Sequence, residues 1–131
     1  MSTLHLTALK AGLDAVLALG TPTLSFMATG YTPAATTDAY WSDISASQAA
    51  GTTDVVLTSV TTTLDAGNAR VEFDTADPSL STVTATTDKY AIWVDTGVDS
   101  TSPILATIDI DSTLTPVAGT LSVTVNAEGH F

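Results

Sequence analysis

The sequence predicts a mainly β domain: an antiparallel β-sandwich or barrel-like fold carrying a short N-terminal α-helix. Three observations predict it. Apolar and polar residues alternate with a period of two in several short runs, the signature of half-buried strands. The runs are separated by clusters of Asp, Gly, Asn, Ser and Pro, which are turn formers. Thr, Ala, Ser and Asp dominate the chain; Thr suits strands, as do the recurring valines, and Asp suits turns. The chain has 131 residues and no cysteine, so one domain over 1–131 can bury a core without disulfides, and thiolate metal sites are excluded.

The helix is predicted over about 4–19, with a β-rich region over 23–131. Leu6, Leu9, Leu13, Val16 and Leu17 recur at spacings of three and four, with Lys10 and Asp14 inside the run. Thr3 or Thr7 is placed to cap the start, and Gly20-Thr21-Pro22 to stop it. Asp14 interrupts the apolar run and Lys10 lies within it, which argues against a signal peptide. The expected role is a lid over one edge or face of a sheet.

Residues 23–28 predict a first strand with Leu24 and Phe26 inward, followed by a loop over 30–38. The adjacent aromatics Tyr40 and Trp41 open a segment that neither period describes, and 45–53 is small, polar and loop-like. Val55 and Leu57 hold one phase, whereas Val60, Thr62 and Leu64 hold the other. That change places a bulge or strand break near Thr58 and Ser59. Asp65-Ala66-Gly67-Asn68 forms the clearest hairpin turn, after which Ala69, Val71 and Phe73 alternate with Arg70 and Glu72. Residues 74–80, with Asp77-Pro78, are expected to be loop, and 83–88 to lead into the centre of the sheet.

The centre is 89–110, which has the densest set of large side chains. Tyr90, Ile92 and Val94 alternate with Ala91, Trp93 and Asp95. Asp95-Thr96-Gly97 and the loop to Pro103 break the run. Ile104, Ala106, Ile108 and Ile110 are then expected on one face, with Asp109 and Asp111 on a water-facing one. A turn-rich link leads to a last strand carrying Leu121, Val123 and Val125.

The charge balance narrows the partners. Fourteen acidic residues against three basic ones give a net charge of −11. Little is available to neutralise phosphates, so no nucleic-acid partner and no anionic membrane surface is expected. No stretch approaches the roughly 20 apolar residues of a membrane span.

Asp95-Thr96-Gly97, preceded by Ile92-Trp93-Val94, looks like the catalytic loop of retropepsin-type aspartic proteases, in which two such aspartates share a proton. The context argues against that chemistry: no glycine-rich flap lies between the motif and Phe131, and no apolar pair followed by Gly lies downstream. Asp95, Asp99, Asp109 and Asp111 could instead gather around Ca²⁺, although their spacing is not that of an EF-hand and solvated acidic turns are favoured. His5 and His130 lie near opposite ends of the chain without triad spacing and are expected on the surface. Tyr40-Trp41 and Tyr90/Trp93 could form a sugar-stacking platform, against the commoner role of core aromatics. No catalytic, cofactor-binding or metal-ligating residue is assigned.

The order of motifs resembles a family of small structural proteins of tailed bacteriophages, described as head, decoration or minor virion proteins. The resemblance rests on the helix and first strand before Tyr31-Thr32-Pro33, on Tyr40-Trp41-Ser42-Asp43-Ile44-Ser45, and on Asn68-Ala69-Arg70-Val71-Glu72-Phe73-Asp74. Its most specific part is 89–97 together with 101–109, and Asn126-Ala127-Glu128-Gly129-His130-Phe131 completes it. The resemblance implies a virion structural protein without catalytic residues, and a compact, cysteine-free sandwich with an acidic solvent face favours a non-enzymatic capsid decoration (cement) protein on the outside of a phage head, with the major capsid protein as partner. A homo-oligomer is expected with it, a trimer being favoured by symmetric closure at shell axes, present in the virion (phage head) and, during assembly, in the host cytoplasm. A carbohydrate- or receptor-binding module of a tail or fibre is the alternative, which exposed aromatics would mark.

Overall fold

The computed structural model describes residues 5–126 and 128–131. The elements run α1 (Leu6–Leu17), β1 (Thr21–Met27), α2 (Trp41–Ile44), β2 (Val55–Val56), β3 (Thr61–Asp65), β4 (Arg70–Asp74), β5 (Ser79–Val83), β6 (Thr87–Asp95), β7 (Ile104–Leu114) and β8 (Gly119–Ser122). Single 3₁₀ turns occupy Ser45–Ser47 and Asp99–Thr101. The fold is mainly β, with antiparallel sheets in a sandwich-like arrangement that does not close into a barrel. Its main sheet has the order β2-β1-β6-β7, and two further pairs, β3-β4 and β5-β8, form separate ribbons.

The central strand is β6, which pairs with β1 from Thr21↔Asp95 to Met27↔Lys89 and with β7 on its other side. Apolar residues occur in both of its phases, and both faces are buried. On one face Leu24, Phe26, Tyr90 and Ile92 pack against Leu57, Phe73, Val83 and Leu121 from the ribbons and the β2–β3 link. On the other, Met27, Ala91 and Trp93 pack against Trp41 and Ile44 of α2. Water meets the sheet at Asp109 and Asp111, which are exposed.

The helix forms over Leu6–Leu17, with Leu13 and Leu17 against the first core and the body resting on β3 and β4. No residue of α1 is fully buried, so α1 covers a rim of the core and not a whole face. The expected start at residue 4 and the cap at Thr3 fall outside the described residues. Thr7 lies inside the helix and not at its cap, which is His5, whose carbonyl accepts from the amides of Ala8 and Leu9. Gly20 is required where the chain passes the end of β6, because a Cβ there would lie 2.1 Å from the Asp95 carbonyl oxygen.

One local expectation is narrowed to one of its two alternatives, and two others are corrected. The phase change near Thr58-Ser59 is a strand break: β2 ends at Val56, Ser59 adopts φ +52°, and β3 belongs to a different ribbon. Residues 79–83, expected partly as loop, form β5, which pairs with β8 across an irregularity at Thr82 (φ +55°). Ile104 does not share a face with Ile108 and Ile110. The register steps from Ile92↔Ala106 to Trp93↔Ile104 and leaves Leu105 as a bulge, so Ile104 joins the Trp93 core while Ile108 and Ile110 join the other. The segment around Tyr40-Trp41 is one helical turn. Asp43 fixes it by accepting the amides of Ala39 (3.0 Å) and Tyr40 (2.9 Å), and these bonds hold its carboxyl below the usual carboxylate range.

Candidate functional site

Asp95-Thr96-Gly97 closes β6. The Asp95 carboxylate accepts the Gly97 amide at 2.8 Å, an Asx turn, and Gly97 takes φ +89°. The Thr96 amide donates to Ser102 Oγ (3.1 Å), and Ser102, fully buried, donates in turn to the Val98 carbonyl at 2.9 Å. The loop is a self-contained hydrogen-bonded knot in which Asp95 satisfies a backbone donor. Asp99 lies in the same loop, exposed.

Asp109 faces Lys89 across the β6–β7 ladder, six positions along β6 from Asp95. At about 3.4 Å per residue that is roughly 20 Å. Asp95 and Asp99 therefore lie at one end of the sheet, with Asp109 and Asp111 well towards the other. The four carboxylates do not converge on a common point, and the cation arrangement considered from the sequence is not assembled. Among the described residues no group of three or more His, Asp and Glu stands close enough to hold a metal ion.

The aromatic candidates divide by burial. Trp41 and Trp93 stack face to face with centroids 4.5 Å apart and planes within 2°, at 4% and 2% exposure. Tyr90 is buried against Phe26 edge-to-face. Tyr40 alone of the four is exposed. Trp93 Nε1 donates to Ser25 Oγ (2.9 Å), Ser25 donates to Asp54 Oδ1 (2.6 Å), and Gln48 donates to the same oxygen (2.9 Å). The tryptophan pair is thus anchored into a polar chain that reaches the surface at Asp54, and three of the four candidate rings belong to the cores.

His5 is exposed as expected, whereas His130 is not a free surface residue. Its Nδ1 lies 3.0 Å from the Tyr90 hydroxyl and its Nε2 2.8 Å from Thr75 Oγ1. Thr75 donates its single hydroxyl hydrogen to the Ala76 carbonyl at 2.8 Å. It must therefore accept from His130, which puts the proton on Nε2 and makes Nδ1 the acceptor of the Tyr90 hydroxyl. Burial pushes the Tyr90 phenol up to about 12. Burial also lowers the His130 pKa, against the opposing pull of Asp74 and Asp77. A cleft of about 370 Å³ opens beside this relay, lined by 108–111 of β7, by 122–126, and by Tyr90, Gly129 and His130.

A hydroxyl 2.8 Å from an imidazole has the spacing of a nucleophile–base pair. Here the hydroxyl is buried and committed to a carbonyl, and the group behind the ring is a neutral phenol. The relay ties the end of the chain to the core. Sequence reasoning missed it because Thr75, Tyr90 and His130 are far apart in the chain and carry no shared spacing.

Comparison with protein-family models, with curated proteins and with solved structures finds no match to the chain.

All three cations sit on carboxylates: Lys10 on Asp14, Lys89 on Asp88, and Arg70 among Asp65, Glu72 and Glu128. Fourteen carboxylates against these three cations give the chain its net charge of −11.

Proposed function

We propose that the chain is a non-enzymatic structural protein of a tailed-phage particle, a decoration (cement) protein seated on the outer surface of the head. The observation that carries this reading is where the family-like motifs fall in the fold. Trp41 and Trp93 form the stacked core, Asp95-Thr96-Gly97 forms the turn that ends β6, and His130 and Phe131 bind back onto Phe73. Framework roles for these residues support a structural reading of the motifs over a catalytic one. The major capsid protein is the proposed partner, and a trimer around a shell symmetry axis the proposed assembly. The acidic surface supports a partner face that is neutral or basic.

The test is direct. Phage particles from the source culture are purified and searched by mass spectrometry for peptides of this chain. Recombinant protein is then co-sedimented with heads separated from tails. Saturable binding to heads supports the reading. Binding to tails or to a glycan array without binding to heads overturns it in favour of a receptor- or carbohydrate-binding module.

A further inference from the structure

The end of the chain is laced onto a strand edge at several points. The His130 amide donates to the Phe73 carbonyl at 2.7 Å, and the Phe73 amide donates to the Phe131 carbonyl at 2.9 Å. Residues 130–131 thus bind the backbone of β4 at the single residue Phe73, outside the two-stranded β3-β4 ribbon. Gly129 makes the approach possible: its φ is +84°, and a Cβ would lie 2.2 Å from the Phe73 carbonyl oxygen. The Phe131 ring stacks on Phe73 at 5.3 Å, and the His130 ring lies 5.8 Å from Phe73 and 5.7 Å from Tyr90.

The only side-chain hydrogen bonds of His130 among the described residues are those to Thr75 and Tyr90: the first needs a proton on Nε2, and the second needs Nδ1 without one. A second proton changes one of them. Nδ1 becomes a donor and meets a hydroxyl that was donating to it. Tyr90 must then turn its hydrogen away, and at 5% exposure that hydrogen has little water to meet. The charge also enters a site walled by Phe73 and Tyr90. The titratable and charged groups around the ring are Tyr90 on β6, Asp74 at the end of β4, Asp77 in the following loop, and Asp109 and Asp111 across the cleft. Glu128, on the same segment, is engaged by Arg70 at 3.1 Å.

We propose that residues 128–131 are a proton-released strap: neutral His130 latches it to β4, and protonation of His130 frees it and uncovers the edge of β4 at Phe73. The released edge presents the amide and carbonyl of Phe73, a short template for pairing with another strand. The folded-state pKa of His130 lies below that of a free histidine, so the proton binds more weakly to the latched form. The latch is therefore at full strength above about pH 6.5 and is lost as pH falls through the folded-state pKa.

The test reads amide hydrogen exchange at Phe73 and His130 in the full chain, relative to Ile92 in the central strand, from pH 7.5 to 5.0. His130 is titrated in parallel by NMR. Relative protection of the two amides is expected to fall by about threefold for each half unit of pKa depression, in step with the His130 titration. Its ring nitrogens are expected to report the Nε2–H form at pH 7.5. In His130→Gln the protection ratio should be flat over the same range. A ratio in the parent that stays constant while His130 titrates overturns the proposal, as does an equal fall in His130→Gln. If the Gln variant does not fold, the parent alone decides, by whether the two curves share a midpoint.

Discussion

Replacing Trp93 by Ala is expected to cost a large share of the fold's stability. Trp93 is 2% exposed in the central strand, lies flat on Trp41 at 4.5 Å and donates to the fully buried Ser25. Removing a buried aromatic costs about 3–5 kcal/mol, and an aromatic pair of this kind adds about 0.5–1.5 kcal/mol beyond area. In a chain of this length each kcal/mol moves the melting temperature by roughly 3–5 °C, so a drop of about 10–30 °C is expected. Trp93→Phe keeps a ring on Trp41 and loses the Nε1 bond, for which about 1–2 kcal/mol is expected. Differential scanning calorimetry and urea unfolding of the two single variants, of Trp41→Ala and of Trp41→Ala/Trp93→Ala close a thermodynamic cycle, in which the tryptophans should couple by about 0.5–3 kcal/mol. A shift below about 2 °C for Trp93→Ala, or strict additivity in the cycle, would refute the claim that this stack holds the second core together.

Gly129→Ala should destabilise the chain by more than about 1 kcal/mol, because it requires a side chain at φ +84° against the Phe73 carbonyl; a thermal midpoint equal to the parent's would contradict that contact. Asp95→Ala should leave peptide hydrolysis at the background level of the parent in a fluorogenic assay while speeding amide exchange at Gly97, whose acceptor is removed. Activity in the parent that vanishes in the variant would instead restore the protease reading. Sedimentation velocity should show self-association strengthening as salt rises toward 0.5 M, where the Debye length falls to about 4–5 Å, or as pH approaches the sequence pI of about 4.1. An oligomer indifferent to salt would mean an apolar interface in which charge has no controlling part.

Much of the fold was legible because its strands obey local rules. The Asp65–Asn68 turn and the alternation of β4 give the β3-β4 hairpin directly, and the apolar density of 90–94 marks β6 as central. Where legibility failed, a departure from period two was responsible. Leu80 and Val83 are three apart because Thr82 sits at φ +55° in a bulge, so β5 carries no alternating pattern. The Leu105 bulge reverses the facing of Ile104 without leaving a trace in composition. α2 is a four-residue turn, too short for a helical period. The His130 relay was hidden for a different reason: its three side chains are brought together by tertiary structure alone, and a lone histidine near a chain terminus is read as surface.

Charge and packing together constrain what can touch this protein. Its three cations are each engaged by at least one carboxylate, so a partner bearing phosphates or carboxylates would meet repulsion with no compensating contact. The exposed pairs at Lys10 and Arg70 contribute little to stability, whereas Lys89 is buried beside Asp88. Their consequence here is to leave the long-range field wholly acidic, which keeps copies apart at low salt. Specific contact then has to come from short-range complementarity. The exposed apolar side chains offer that at separate places, with Leu19 beside the end of β6, Val56 on the β2 edge and Val117 before β8. A partner that is neutral or basic and shaped to reach one of these places gains from both the field and the contact, whereas a second copy gains only from the contact.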